Sequence, residues 1–362
     1  MGPLQGLRII EFDAIGPVPF AAMLLADMGA DVLRLARPGG QPAFENLGEG
    51  IVHRSRPVVA LDLKQPADRD AALDLVAGAD AAIEGFRPGV MERLGLGPEV
   101  CLARNPRLVF ARMTGWGQTG PLALRAGHDI NYIALSGALG AIGEPGRAPV
   151  PPLNLVGDYG GGAMFLVQGV LAALLGAQRT GRGQVVDVAM TDGVALLLSM
   201  FLAMRQTGHW SDARGENLLD GGAPFYRCYP CNDDGHVAVG ALEPKFFAAL
   251  IAGLGFAPQD FVQYDRAGWP AMQAAFAACF ATRSRDDWAT VFAGTDACVS
   301  PVLGLIETPG HPQNAARAAH QWVNGLLQAA PAPRFGATPA QIRSAGPMSL
   351  SEALQRWAAA SA

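Results

Sequence analysis

The chain has 362 residues, half of them hydrophobic, with 27 basic and 32 acidic side chains and a net charge of −5. That length can bury a large core and suggests two domains. The acidic balance argues against wholesale nucleic-acid binding but leaves room for an anionic small molecule held by a local basic cluster.

Lys64 and Lys245 are the only lysines, an arginine bias that reads as compositional. The cysteines (Cys101, Cys228, Cys231, Cys279, Cys298) are scattered and odd in number, so a disulfide framework is not expected and a reducing cytosol fits. Residues 1–10 do not read as a secretory leader, and the C-terminal residues carry no peroxisomal Ser-Lys-Leu address. The apolar stretches 163–177 and 194–204 are short of a membrane span and read as core helices. A cytoplasmic location is expected.

Residues 7–12 read as a short buried strand, 13–17 as a turn, 20–28 as a helix stopped by Gly29, and 31–35 as a second strand. This βαβ unit predicts a parallel sheet. Its turn lacks G-x-G-x-x-G, so no dinucleotide site is indicated. Residues 37–40 lead into a long loop with Arg54 and Arg56 in it. A strand or strand end at 60–64, a helix at 68–76 and a strand at 81–84 follow. Residues 85–89 turn into a helix containing Arg93, and the strand 107–112 ends in a glycine-rich loop, 114–121. Ligands of parallel α/β sheets bind beyond the carboxyl ends of strands. Arg37, Lys64, Arg87 and Arg93 all follow strands. They suit a sugar diphosphate or the phosphates of a nucleotide, or they are ordinary surface charges.

The central stretch opens with Gly127, His128, Asp129, Ile130, Asn131 and Tyr132, and closes with Asn154, Asp158 and the glycines 160–162. His128 stands at a helix start beside glycine, and Asp158 precedes a glycine run and the apolar helix 163–178. The two are expected to face each other across one substrate carbon. Each also has a local reading, His128 as a packing residue and Asp158 as a helix cap. Gly160 and Gly161, at the expected helix start, would offer free N–H groups to an oxyanion, or would simply allow tight packing.

A strand at 184–188, an apolar helix at 194–205 and a polar linker at 210–222 come next. Residues 225–240 read as paired strands turning at 232–235, and a helix starts at 243–246. Helices near Met272 and Asp286, a strand at 298–303, an extended Pro-rich crossing at 330–333 and a helix at 350–360 complete the chain. Cys228-x-x-Cys231 with His236 lacks a second ligand pair and lies in a hairpin-like segment. It reads as two packed side chains, and no metal site is expected.

Several ordered motifs carry a resemblance. They are Leu4-x-Gly6-Leu7-Arg8, the segments 25–32 and 111–121, Gly127 to Tyr132, and 151–162. Further on are 180–187, 219–224 and 240–244. From residue 4 to about residue 305 the sequence resembles the family III CoA-transferase (CaiB/BaiF) superfamily, and within it the bacterial α-methylacyl-CoA racemases. The last fifty residues match less clearly, and nothing is carried over there.

The resemblance implies an α/β fold with a large Rossmann-like parallel-sheet domain and a smaller α+β domain, in an interlocked homodimer. The expected bounds are 1–205 and 325–362 for the large CoA-binding domain, 225–310 for the small one, and linkers at 206–224 and 311–324. It also implies that His128 and Asp158 transfer protons, with Asn154 and Glu243 supporting them by hydrogen bonding. Contacts to CoA or the acyl chain are implied for Arg37, Leu61, Asp62, Leu63, Lys64, Gly85, Phe86, Arg87 and Arg93. They are also implied for Gly127, Asp129, Ile130, Asn131 and Tyr132. Phe86 stands where related racemases have tyrosine, so a hydroxyl contact is lost there.

The expected activity interconverts (2R)- and (2S)-2-methylacyl-CoA thioesters. That chemistry needs a base on each face of C2 and stabilisation of the enolate oxygen. It needs no cofactor, CoA being part of the substrate. Two rivals remain. A transferase of the same fold would use Asp158 as a nucleophile, and a non-catalytic CoA-binding protein would keep the basic residues without the acid–base pair.

Overall fold

The computed structural model describes residues 2–39 and 49–359. The first half of the expected loop after Gly39, and Ala360 at the end of the last expected helix, lie outside the described residues.

In chain order the elements begin β1 (Arg8–Phe12), α1 (Pro17–Asp27), β2 (Asp31–Ala36), α2 (Glu49–Val52), β3 (Val58–Ala60), α3 (Pro66–Ala77), β4 (Ala81–Glu84), α4 (Val90–Arg93), α5 (Pro98–Arg104) and β5 (Val109–Thr114). Then come α6 (Asp129–Leu135), α7 (Ala138–Ala141), a π-helix at Leu155–Ala163, α8 (Met164–Thr180), β6 (Gln184–Ala189), α9 (Met190–Leu197) and α10 (Ser199–Gln206). The hairpin β7 (Tyr226–Pro230) and β8 (His236–Gly240) precedes α11 (Pro244–Leu254), α12 (Trp269–Phe280), α13 (Arg285–Phe292) and β9 (Val299–Pro301). Last are α14 (Pro312–Ala316), β10 (His320–Val323), β11 (Leu326–Ala329), β12 (Pro347–Met348) and α15 (Leu350–Ala359).

Two compact units result. The first comprises Met1–Ser136, Pro152–Leu197 and Ala318–Ala362, and the second Gly137–Pro151 and Leu198–Arg317. Residues 137–151 and 198–205, expected in the large domain, therefore group with the second unit. Side-chain bonds explain the first of these shifts. Arg214 donates to the carbonyls of Gly140 and Arg147, and Gly215 packs against Pro145. The expected linker 311–324 runs into the hairpin β10–β11 of the first unit.

The first unit is built on a sheet ordered β12-β3-β2-β1-β4-β5-β6, every pairing parallel. Alternate residues of each strand enter opposite cores. Ile9, Val32, Ala81, Ile83, Val109 and Ala111 pack on the side of α1 and α8, while Ile10, Leu33, Ala82 and Phe110 pack on the side of α3 and α15. Burial on both faces explains why these strands read as short continuous apolar runs. The second unit packs α11, α12 and α13 against β7-β8-β9, around Phe225, Tyr229, Phe276, Phe280 and Trp288.

The π-helix and α8 together form one apolar helix, Leu155–Thr180, of 26 residues. By length and composition it could cross a membrane, so the expectation that no stretch is long enough is corrected. Leu166, Val170 and Ala173 are nevertheless sealed in the core of the first unit, which marks it as a core helix.

Charged residues are also buried in the first unit. Arg54 pairs with Asp27 at 2.6 Å and Arg56 with Glu11 at 3.1 Å. Burial pushes the Glu11 carboxyl up to about 7, against the pull of Arg56. Arg54 also donates to Gln328 and to the carbonyl of Ala329, and Arg343 to the carbonyls of Ala26 and Ala30. These bonds fasten the C-terminal segment to the sheet domain.

Candidate active site

The sheet order places β1 beside β4, although the chain leaves β1 towards β2 on one side and β4 towards β5 on the other. Loops diverge at such a switch point and open a crevice at the carboxyl end of the sheet. Here the crevice is a cavity of about 270 Å³. Ile15 and Gly16 follow β1, Gly85, Phe86 and Arg87 follow β4, and Thr114 to Trp116 close β5. His128, Tyr132 and Asp158 complete the wall, with Gly127 and Arg125.

Close backbone approach shapes this crevice. A Cβ on Gly85 would stand 2.9 Å from Val18 Cγ2, and one on Gly115 would land on the Tyr132 ring. Tyr132 meets Trp116 edge-on at 4.8 Å and donates its hydroxyl proton to the Gly127 carbonyl. Glu84 at the end of β4 accepts the Phe86 N–H at 2.6 Å and pairs with Arg112 at 2.7 Å. The turn that presents Phe86 and Arg87 is thus anchored from below.

His128 precedes α6 in extended backbone, with its N–H bonded to Asn131 Oδ1 at 3.0 Å. Its side chain is exposed, as a proton-transfer group open to a ligand requires. Asp158 is half-buried. Asn154 Nδ2 donates to its Oδ2 at 3.3 Å, which lies 3.4 Å from where a Cβ on Gly16 would be. Burial pushes the Asp158 carboxyl up from its ordinary range; Asn154 pulls it down, Asp129 adds to the rise, and His128 opposes it. That influence of His128 on Asp158, with the shared cavity, brings the two expected proton-transfer residues together.

The expected helix start is corrected. The helix opens at Leu155, and Asp158 lies in the first turn of a π-helical segment rather than capping an α-helix at Gly160. Gly160 and Gly161 therefore lie inside the ladder, where their N–H groups are not at an open helix end. A Cβ on Gly161 would stand 2.6 Å from Val194 Cγ2, and one on Gly193 would overlap the Gly161 carbonyl. Gly161 serves close packing of this segment on α9, and the basis for an oxyanion role is removed.

Arg37, Leu61, Asp62, Leu63 and Lys64 lie together around a second cavity of about 210 Å³, with Asp13 and Leu94. Leu61 to Lys64 form the turn after β3 rather than a strand. Phe86 lines both cavities. Arg93 is exposed on α4 and lines neither, and Ile130 is exposed on α6. Asp129 and Asn131 have internal partners, the N–H groups of Asp158 and His128. Glu243 belongs to the second unit, exposed at the start of α11. Sequence reasoning missed Gly16, Trp116 and Arg125 as cavity residues. The signal for Gly16 was its place after β1 and before Pro17, where a φ of 71° needs glycine.

The model of CoA-transferase family III matches residues 4–349. The mouse protein named alpha-methylacyl-CoA racemase is 44% identical over 339 residues, covering 93% of this chain and 87% of that one. The Acetobacter aceti acetyl-CoA:oxalate CoA-transferase is 33% identical over 337 residues, covering 87% and 85%. A crystal structure of a CAIB/BAIF family protein from Brucella suis superposes with a TM-score of 0.82 at 24% identity, over 99% of each chain, and speaks for the fold. Matched along nearly its whole length in sequence and in fold, this chain belongs to CoA-transferase family III.

Proposed function

We propose that this protein is an isomerase of the α-methylacyl-CoA racemase type. It moves the C2 proton of a 2-methylacyl-CoA through an enolate, with His128 on one face and Asp158 on the other. The observation that carries this reading is that both side chains open on one cavity at the switch point of the sheet. The 44% identity to the mouse racemase supports it. The α-proton of a thioester is far less acidic than either side chain, so base and acid must be held in place on opposite sides of the carbon. A carboxyl raised by burial is suited to donate a proton. The thioester occupies the cavity of His128 and Asp158, and the CoA phosphates lie past Phe86 beside Arg37 and Lys64. Asn154 steadies the Asp158 carboxyl. Proton exchange between two side chains asks for no cofactor.

The rival transferase has no task for His128, whereas proton transfer uses it together with Asp158. The deciding experiment incubates a single enantiomer of a 2-methylacyl-CoA with the protein in heavy water, without any free acid acceptor. Deuterium at C2 together with loss of optical purity is expected. Product with neither change would sink the racemase.

We further propose a homodimer. Leu153, Leu155, Met164, Leu175, Leu196 and Leu197 of the first unit are all exposed in the single chain, and a partner subunit would cover such side chains. Light scattering should give twice 37.7 kDa; a monomer mass at micromolar concentration would refute it.

A further inference from the structure

Asp129 follows His128 directly and opens α6. It is only 7% exposed, and its Oδ2 accepts the backbone N–H of Asp158 at 2.7 Å. Its Oδ1 is buried with no hydrogen-bond partner. A Cβ on Gly157 would stand 2.5 Å from Oδ2, so this carboxylate rests directly on the main chain of the π-helical turn. The N–H of Asp158 lies in the first turn of its helix, where no intrahelical carbonyl is available. Asp129 supplies the missing acceptor from a different element. A buried carboxylate with one oxygen unpaired is costly, and a bond to the backbone of a cavity residue is what it achieves.

We propose that the Asp129 carboxylate is a positioning group, not a substrate contact: it ties the main chain of Asp158 to the start of the His128 helix and so sets the gap in which C2 is held. This deepens the racemase reading and rests on it. Residues 115–128 lead from β5 to His128 and residues 142–154 from α7 to the π-helix, and they would otherwise fix the two proton-transfer groups independently. One carboxylate, a single residue from His128, couples them. The charge of Asp129 also acts on the Asp158 carboxyl, which faces His128 and Tyr132 as well; Arg87 acts on Tyr132. Withdrawing that charge lets Asp158 ionise at lower pH.

Two variants test the tie. Asp129→Ala removes the acceptor, whereas Asp129→Asn keeps an oxygen for the Asp158 N–H and removes only the charge. Hydrogen exchange of backbone amides, read by mass spectrometry on the peptide covering 155–163 without substrate, should accelerate at least tenfold in the alanine variant and stay near wild type in the asparagine variant. For racemisation, Asp129→Ala should lower kcat about 100-fold with KM within about threefold, the scale expected when reacting groups are misplaced by about 1 Å. Asp129→Asn should recover most of that loss, with the pH limb of Asp158 moved to lower pH. An unchanged kcat in the alanine variant, a loss confined to KM, or an asparagine variant no better than alanine overturns the proposal. If the alanine variant does not fold, Asp129→Asn decides alone: an unmoved pH limb or a raised KM overturns the role, and a near-normal kcat with the limb moved supports it. A wild type that incorporates no deuterium sinks the racemase reading instead, and the amide-exchange comparison still decides whether the tie exists.

Discussion

His128→Ala is expected to lower racemisation of a 2-methylacyl-CoA by about 1,000-fold, within the range that general acid–base groups contribute. CoA affinity should stay within about threefold of wild type, since the basic residues of the second cavity are untouched. The fold should also survive. The His128 side chain is exposed, and the local helix start is held by its backbone bond to Asn131. The informative result lies in what remains. With imidazole gone, Asp158 can still remove and return the proton on its own face of C2. One enantiomer should therefore exchange slowly with heavy water and keep its configuration, while the other should be inert. A variant that racemises normally would show that His128 is neither acid nor base here. This variant also separates the rivals, because a transferase built on Asp158 should be indifferent to it.

Asp158→Asn should cause a loss of similar size with the opposite enantiomer preference. The asparagine is nearly isosteric and can still accept from Asn154, but it has no proton to give and no basic oxygen to receive one. Residual exchange should be confined to the enantiomer whose C2 proton faces His128. Identical residual exchange of both enantiomers in the two variants would rule out bases on opposite faces. The wild type adds a pH test. Asp158 titrates above the ordinary carboxyl range because it is buried, with Asp129 adding to the rise. In the direction in which it donates, the rate should hold below that pKa and fall as pH rises through it. In the direction in which it accepts, the rate should rise over the same interval. Initial rates measured for each enantiomer against pH check the sign. Parallel profiles for the two directions would argue against opposite protonation states.

Much of this could be read from residues. Short apolar runs bounded by glycine marked β1, β2 and β4, because strands buried on both faces have no polar alternation to display. The glycine flanks of His128 and Asp158 marked a place where backbone and ligand come close, and the structure puts both on one cavity. Some elements had signals that were overlooked. Pro98 after Gly97 announces α5, and Asn324-Gly325, with φ of 52° and 78°, is the turn of the hairpin β10–β11. Others had none. The two-residue β12 exists only by pairing with β3, far away in the chain.

By itself, then, the sequence determined the parallel α/β architecture and the family, and it singled out two side chains for a proton-transfer role. All of these depend on local apolar patterning, turn chemistry and residue identity. The tertiary structure alone decided that the helix opens at Leu155 with a π-turn and that Gly161 packs against α9 instead of facing a ligand. It also decided that Asp129 is turned inward onto the main chain of Asp158. Those outcomes arise where segments distant along the chain compete for the same space, and a π-turn or an inward carboxylate leaves no periodicity in the residues that form it.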